Sequence, residues 1–465
     1  MHADPWWAVM GVVTWALFTL ALVGAASSAA AVRPVRREPF TVASFVLGWP
    51  AAEAPVQLWA VEVVGTAALS AAGALGAWPG WVGLALTVTS WPGLAVQLVA
   101  ARRTAEVVSS ALDAVAGDLA IPAGFDPLPR WNTLWHVALA VPLRLRAIRR
   151  VRNVDYWGDG TTRHSLDVVR RRDGPPAGGP VLVYVHGGAW VVGDKREQGI
   201  PLLHELAARG WVCVAVNYRL SPRATWPDHV VDCKRAVAWV REHIADYGGD
   251  PSFVAIAGGS AGGQLCSLVA LTPGEPAWQP GFEDADTSVD ACVAFYGVYD
   301  MTADPELAGA YGPGLRELLE RRVFKASLDD DRQRFEDASP LCRVTEAAPP
   351  HFVLHGTHDT LVPVVVARRY VDRLRERSRA PVAYAELPYA QHAFDVLASV
   401  RCRHAVAGVV RFLESVRAGQ AGAPRGHDRR EAGSPVDDPT AGPRATPTSE
   451  AGLGAPAVSD VESHS

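Results

Sequence analysis

Lysine is nearly missing from this 465-residue chain, occurring only at 195, 234 and 325, so positive charge rests almost wholly on arginine. With a formal net charge of −5 and a pI near 6.3, the chain lacks the basic footprint that nucleic acid requires, and nucleic-acid binding is excluded. An arginine bias of this kind also weakens any argument from a single Arg cluster, which reads as solvated surface unless its position says otherwise. Cysteine is sparse: six residues (213, 233, 266, 292, 342 and 402) are scattered without a CxxC pair or metal-ligand spacing. They imply buried thiols, suited to a reducing compartment, with no metal site. Charge is scarce in the first 101 or so residues, whereas about 150–417 has the mixed texture of a globular domain. Beyond about Ala418 large apolar residues are few and Gly, Pro, Ala and Ser dominate, so 418–465 cannot bury a core and is expected to be disordered.

The uncharged front is expected to be all-helical and to cross a membrane. Trp6 to Val32 is apolar and long enough to span a hydrocarbon core of roughly 30 Å. A cleavable signal peptide is the rival, since Ala25 to Ala31 resembles a small-residue cleavage region, but a basic segment before Trp6 is missing and Asp4 is acidic. Two further apolar stretches, about Val56–Trp78 and Gly80–Ala100, flank the turn-prone Trp78-Pro79-Gly80-Trp81 and read as a membrane hairpin. Trp59, Trp78, Trp81 and Trp91 suit an interfacial aromatic belt. Glu62 is anomalous; a carboxylate within a span faces other helices, although its place near one end also suits the interface. Arg33, Arg36 and Arg37 follow the first span and Arg102 and Arg103 the third, which predicts a multi-pass region (1–103) with the following domain on the cytoplasmic side. A linker, 104–150, contains the amphipathic run Trp131–Arg150, which fits a membrane-surface helix and a helix packed on the next domain equally well.

From 151 to 417 short β-rich runs alternate with helical stretches, the pattern of a mostly parallel sheet covered on both faces. Eight strands are predicted: Val151–Tyr156, Leu166–Arg170, Val181–His186, Val212–Asn217, Phe253–Ala257, Ala291–Tyr296, His351–His355 and Val382–Glu386. Helices are predicted at about Lys195–Arg209, Asp228–Tyr247, Ser260–Leu271, Pro363–Arg379 and Ala398–Val416. The Gly- and Pro-interrupted segment Thr302–Ser339 breaks the rhythm and predicts irregular helices over a site.

Gly258-Gly259-Ser260-Ala261-Gly262 fits G-x-S-x-G, and it lies directly after an apolar strand and opens a helix. A tight strand-to-helix turn strains its central residue and needs small neighbours at 258 and 262, while the serine oxygen projects from the sheet edge. That is the nucleophile elbow of the α/β-hydrolase fold. Upstream, His186-Gly187-Gly188-Ala189-Trp190 follows a strand, and Gly187 and Gly188, with the N–H of Ala261, are candidate oxyanion donors. His186 itself reads as an orienter of that loop. In this fold the acid and then the base follow the serine. Asp359 in His355-Gly356-Thr357-His358-Asp359 and His392 in Gln391-His392-Ala393-Phe394 stand after the seventh and eighth strands, so Ser260, Asp359 and His392 form the predicted triad. His355, His358 and His404 compete for the base; Asp395, too close to the base, and Asp300 compete for the acid. Trp190 and 302–339 are candidate pocket walls.

The HGGAW, GGSAGG, HGTHDTLVP and QHAF segments, with Asn217-Tyr218-Arg219-Leu220-Ser221-Pro222 between them, resemble the esterase/lipase group related to hormone-sensitive lipase over about 180–417. The multi-span front makes the whole similar to bacterial membrane-associated lipase/esterase proteins. The resemblance implies cleavage of small-molecule or lipid esters without a cofactor or metal, beside a membrane. Ala189 departs from the third glycine of many members, which bears on the acyl pocket, and likeness to the HGGxW of formamidases leaves amide substrates open. A silent membrane-tethered binding module is the third reading; against it, every triad member is in place.

Overall fold

The structure, a computed structural model, describes residues 6–119, 140, 147–174, 178–304 and 312–422. Most of Trp131–Arg150 lies outside these residues, and so does the tail beyond 422. Arg149 and Arg150, read as the end of that amphipathic run, instead belong to the first strand.

The front forms four helices: α1 (Trp6–Val32), α2 (Thr41–Glu53), α3 (Pro55–Ala71) and α4 (Trp78–Asp113). Ala54 precedes Pro55, whose ring clashes with an α-conformation there, so α2 stops and α3 starts afresh at 88° to it. The predicted hairpin turn at 78–81 shifts upstream. Gly73, at φ 92°, ends the helix and Ala74–Gly76 turns the chain, while Pro79 sits in the first turn of α4. A proline there gives up an N–H that has no helical acceptor in any case. α4 runs on past Arg102 and Arg103 to Asp113, across the expected boundary at 103.

Ser28 Oγ donates to Ser90 O (2.8 Å) and Gln97 Nε2 to Ala31 O (2.9 Å), which sets α1 and α4 side by side in the same direction, with α3 running back against both. Glu62 is fully buried, takes the Ser90 hydroxyl and lies against Gly24, so it faces its neighbours in the bundle and not an interface. Gly11–Val32 and Trp78–Asp113 are long and apolar enough to cross a membrane, and the bent α2–α3 pair would add a third crossing if it acts as one span.

The region after the front is built on an eight-stranded sheet in the order β1-β2-β4-β3-β5-β6-β7-β8. Its strands are β1 (Ile148–Asp155), β2 (Ser165–Arg171), β3 (Gly179–Val185), β4 (Val212–Val216), β5 (Gly249–Gly259), β6 (Ala291–Phe295), β7 (His351–Gly356) and β8 (Val382–Leu387). β2 pairs antiparallel with both of its neighbours, β1 and β4, and the remaining pairs are parallel. All eight predicted strands are present. The near-continuous burial of β2 to β7 explains their Val- and Ala-rich runs, since helices cover both faces. Those helices are α5 (Ile200–Ala208), α6 (Asp228–His243), α7 (Ala261–Leu271), α8 (Gly312–Leu318), α9 (Arg332–Asp337), α10 (Val364–Arg377) and α11 (Val400–Gly422). One apolar core lies on each face, and Val108 and Leu112 of α4 enter the core shared with α5 and α11. The front and the sheet are thus joined by packing as well as by chain. Five of the six cysteines are buried and Cys342 is exposed.

Candidate active site

Ser260 stands between β5 and α7 at φ 58°, ψ −121°, a conformation that L-residues adopt only under compulsion from their surroundings. The compulsion is steric. A Cβ at Gly262 would lie 2.1 Å from Val185 O, and one at Gly258 would lie 2.3 Å from Gly262 O, so the elbow closes only on glycine at both places. The Ser260 N–H is fixed by Phe295 O at 3.0 Å. Its hydroxyl has no hydrogen-bond partner among the described residues, His392 included.

Asp359 and His392 meet across the ends of β7 and β8. His392 Nδ1 lies 2.7 Å from Asp359 Oδ2, which leaves Nε2 as the imidazole's free nitrogen. The other carboxylate oxygen accepts the N–H groups of Leu361 and Val362, each at 2.8 Å, and His355 approaches the pair at 3.4 Å. Burial opposes ionisation of Asp359, but His392 and His355 beside it hold its carboxyl well below the usual carboxylate range. The rival acids are otherwise engaged. Asp300 caps its own turn through Thr302 and Asp304, and Asp395 accepts the hydroxyls of Tyr296 and Tyr184 (3.2 Å). His355 points Nε2 at Val362 O (3.0 Å), and His358 at Val32 O (3.2 Å).

The glycine loop after β3 lies against the elbow, since a Cβ at Gly187 would come within 3.0 Å of Ser260 Cβ. Its donors are not equivalent. The Gly187 N–H already donates to Gln198 Oε1 at 2.7 Å. Gly188, at φ 123°, has no acceptor for its N–H among the described residues, and Ala261 opens α7, where an N–H has no helical acceptor. Burial depresses the His186 imidazole to about 4; it stacks on Tyr218 at 4.5 Å and acts as a neutral prop for the loop. Trp190 requires a correction. It is 2% exposed and its indole N–H donates to Gln264 Oε1 at 2.9 Å, so it anchors the loop to α7 and offers almost no surface to a ligand.

Three neighbours were not foreseen from sequence. Tyr296 places its ring 4.4 Å from that of His392 and carries the Asp395 brace. Gln198 holds Gly187, and Phe45 from α2 meets the His392 ring edge-on at 6.2 Å. Only the kink at Tyr296, φ 39°, marks a special position, and that is visible only in the fold. Among the described residues no group of three or more His, Cys, Asp or Glu is placed to hold a metal ion. A strained serine, a carboxylate-paired imidazole and unpaired N–H groups are the parts needed for attack on a carbonyl and stabilisation of the oxyanion that forms.

Residues 166–374 match the family model BD-FAE, a span that includes Ser260 and Asp359 and ends before His392. Esterase LipC of Mycobacterium tuberculosis (strain ATCC 25618 / H37Rv) is 44% identical over 282 residues, covering 60% of this chain and 68% of that protein. The chain belongs to the LipC esterase family. Two other proteins from the same organism are similar to this chain. The protein named "Probable carboxylic ester hydrolase LipM" is 53% identical over 60% of this chain, and Esterase LipQ is 47% identical over 58%. The chain spans 65% of the length of LipM and 63% of LipQ. The α/β-hydrolase fold described above is thus the fold of an esterase family.

Proposed function

We propose that the protein is a serine hydrolase cleaving carboxylic esters, held at a membrane by its helical front. The observation that carries this reading is Ser260, forced into the elbow at the end of β5, together with the Asp359–His392 pair at the ends of β7 and β8. His392 Nε2 takes the Ser260 proton as Oγ attacks the ester carbonyl; the tetrahedral intermediate collapses, the alcohol leaves with that proton, and an acyl-enzyme remains. Water activated by the same imidazole then releases the acid. Asp359 keeps the Nδ1 proton in place and balances the imidazolium. Gly188 and Ala261 are the oxyanion donors, each worth on the order of 3 kcal/mol in the transition state. Gly187, the third expected donor, joins them only when Gln198 lets go.

The domains read as a helical front that ends with α4 at Asp113, a connecting segment, a catalytic domain from about 148 to 422 and a tail. α1, α3 and the first part of α4 make three crossings. Both arginine groups then lie at the end that carries the catalytic domain, where Arg36 donates to Thr357 O at 2.5 Å, which supports a cytoplasmic catalytic domain. Cys342, exposed on that domain, tests the orientation: a membrane-impermeant thiol reagent should label it only after cell lysis, and labelling of intact cells would reverse the sidedness.

The chemistry is tested with p-nitrophenyl esters and a matching anilide, using wild type and Ser260→Ala. Ester turnover that vanishes in the variant is expected. Anilide cleavage without ester cleavage would turn the reading to an amidase, and silence on both would remove catalysis.

A further inference from the structure

The catalytic base is touched by the membrane region itself. Phe45 of α2 lies edge-on against the His392 ring (6.2 Å, 82°), and Trp49, one turn on, donates its indole N–H to Ala393 O at 3.2 Å. Around this point the front grips both catalytic loops: His358 meets Val32 O (3.2 Å), Thr360 donates to Thr41 O (3.1 Å), and Arg36 reaches Thr357 O. The grip is completed by a buried ion pair, Glu53–Arg401 at 3.3 Å, with Ser399 donating to Glu53. The opposite face of α2 is apolar and open, with Val42 and Val46 about 60% exposed and Phe40 and Leu47 alongside. α1, α3 and α4 likewise carry exposed large apolar residues, among them Trp15, Val64 and Trp81. One thin helix therefore separates the catalytic imidazole from the surface that would meet lipid.

We propose that α2 is the acyl-binding wall of the active site, and that the substrate is a lipid ester whose acyl chain lies in the bilayer and reaches Ser260 along Phe45. This rests on the ester-hydrolase reading. A long chain can stay in hydrocarbon while its ester carbonyl meets the serine, so the chain needs no separate soluble pocket and avoids transfer through water. Arg36 and Arg37, just before α2, sit where polar headgroups would be.

The test uses the full chain in lipid nanodiscs, with p-nitrophenyl butyrate and palmitate as probes. Phe45→Ala should lower the palmitate-to-butyrate ratio of kcat/KM about tenfold, and Phe45→Leu should restore most of it. If both esters fall together, or the ratio is unchanged, Phe45 is only a brace and the proposal is overturned. If wild type cleaves neither ester, the ester-hydrolase reading fails instead. A measurement on wild type covers the case in which the variants do not fold. Ser260 is labelled with a phosphonate carrying a pyrene-tipped long alkyl chain, with Ser260→Ala as the unlabelled control, and brominated lipids are added. Quenching of the pyrene supports a chain lying in the bilayer, and unquenched emission overturns it.

Discussion

The front and the catalytic region bury opposite kinds of residue. In the sheet, Val, Ile, Leu and aromatic side chains turn inward: Val181, Val183, Val214 and Ile256 are buried between helices. In the front the large apolar groups turn outward, as with Val12, Trp15, Val64, Trp78 and Trp81, while Thr14, Ser28, Glu62, Ser90 and Gln97 turn in. In water such an arrangement forfeits the hydrophobic effect. In hydrocarbon it is the stable one, because association there comes from close backbone approach and interhelical hydrogen bonds. Gly83 shows the approach, where a Cβ would come within 3.1 Å of the α1 backbone at Leu17 and Phe18. The difference is the one expected of a chain folded for two solvents, and on the proposed reading the active site lies where they meet.

The comparison can be broken or sharpened by substitution. Ser260→Ala should reduce ester turnover by about 10⁶-fold, as removal of a triad serine does elsewhere, with the helical front and its membrane extraction behaviour unchanged. Asp359→Asn should cost about 10⁴-fold in kcat by allowing the wrong imidazole tautomer. Asp395→Asn, which loosens only the tyrosine brace, should cost far less; equal losses would mean that the acid is misassigned. Between the two regions, Glu53→Ala strands Arg401 in the interior and should lower stability by roughly 3 kcal/mol or more in thermal unfolding.

Acid should act on the catalytic region first. Burial holds both His186 and His229 neutral down to about 4, whereas the unfolded chain takes up protons below about 6.5. Their folded pKa values are thus depressed, so stability is full above about pH 6.5 and falls as pH drops from there toward 4. Loss of tertiary structure in that window, before any loss of front helicity, is expected in circular dichroism. The smallest effect is the most discriminating for the two-solvent view. Val64→Ala on the open face of α3 should change stability by less than about 0.5 kcal/mol, against about 2 kcal/mol for Val183→Ala in the sheet. Similar losses would refute it.

Much of the catalytic region was legible because its signals are local. The glycines at 258 and 262 and the apolar runs ahead of Ser260, Asp359 and His392 are requirements of short segments. Tyr296, Phe45 and Gln198 were not legible, since each acts across distant parts of the chain and looks ordinary in its own segment. Trp190 was misread for the same reason: its place after the glycines suggested a wall, while its partner Gln264 lies in α7. In the front, composition revealed the solvent but not the path. Pro55 marks a break that the hydrophobic count alone passes over, and Pro79, read as a turn, is a helix start.

α4 passes unbroken from the bundle into the core under α11, where Val108 meets Gly408 and Asp113 meets Arg411 at 2.6 Å. On the proposed reading, an enzyme mounted on this one helix would keep its reaction centre close to one height above the bilayer. Its encounters would then be governed by lateral diffusion in two dimensions, and its velocity should follow the mole fraction of ester in the surface, falling on dilution with inert lipid even when the total amount of ester is unchanged.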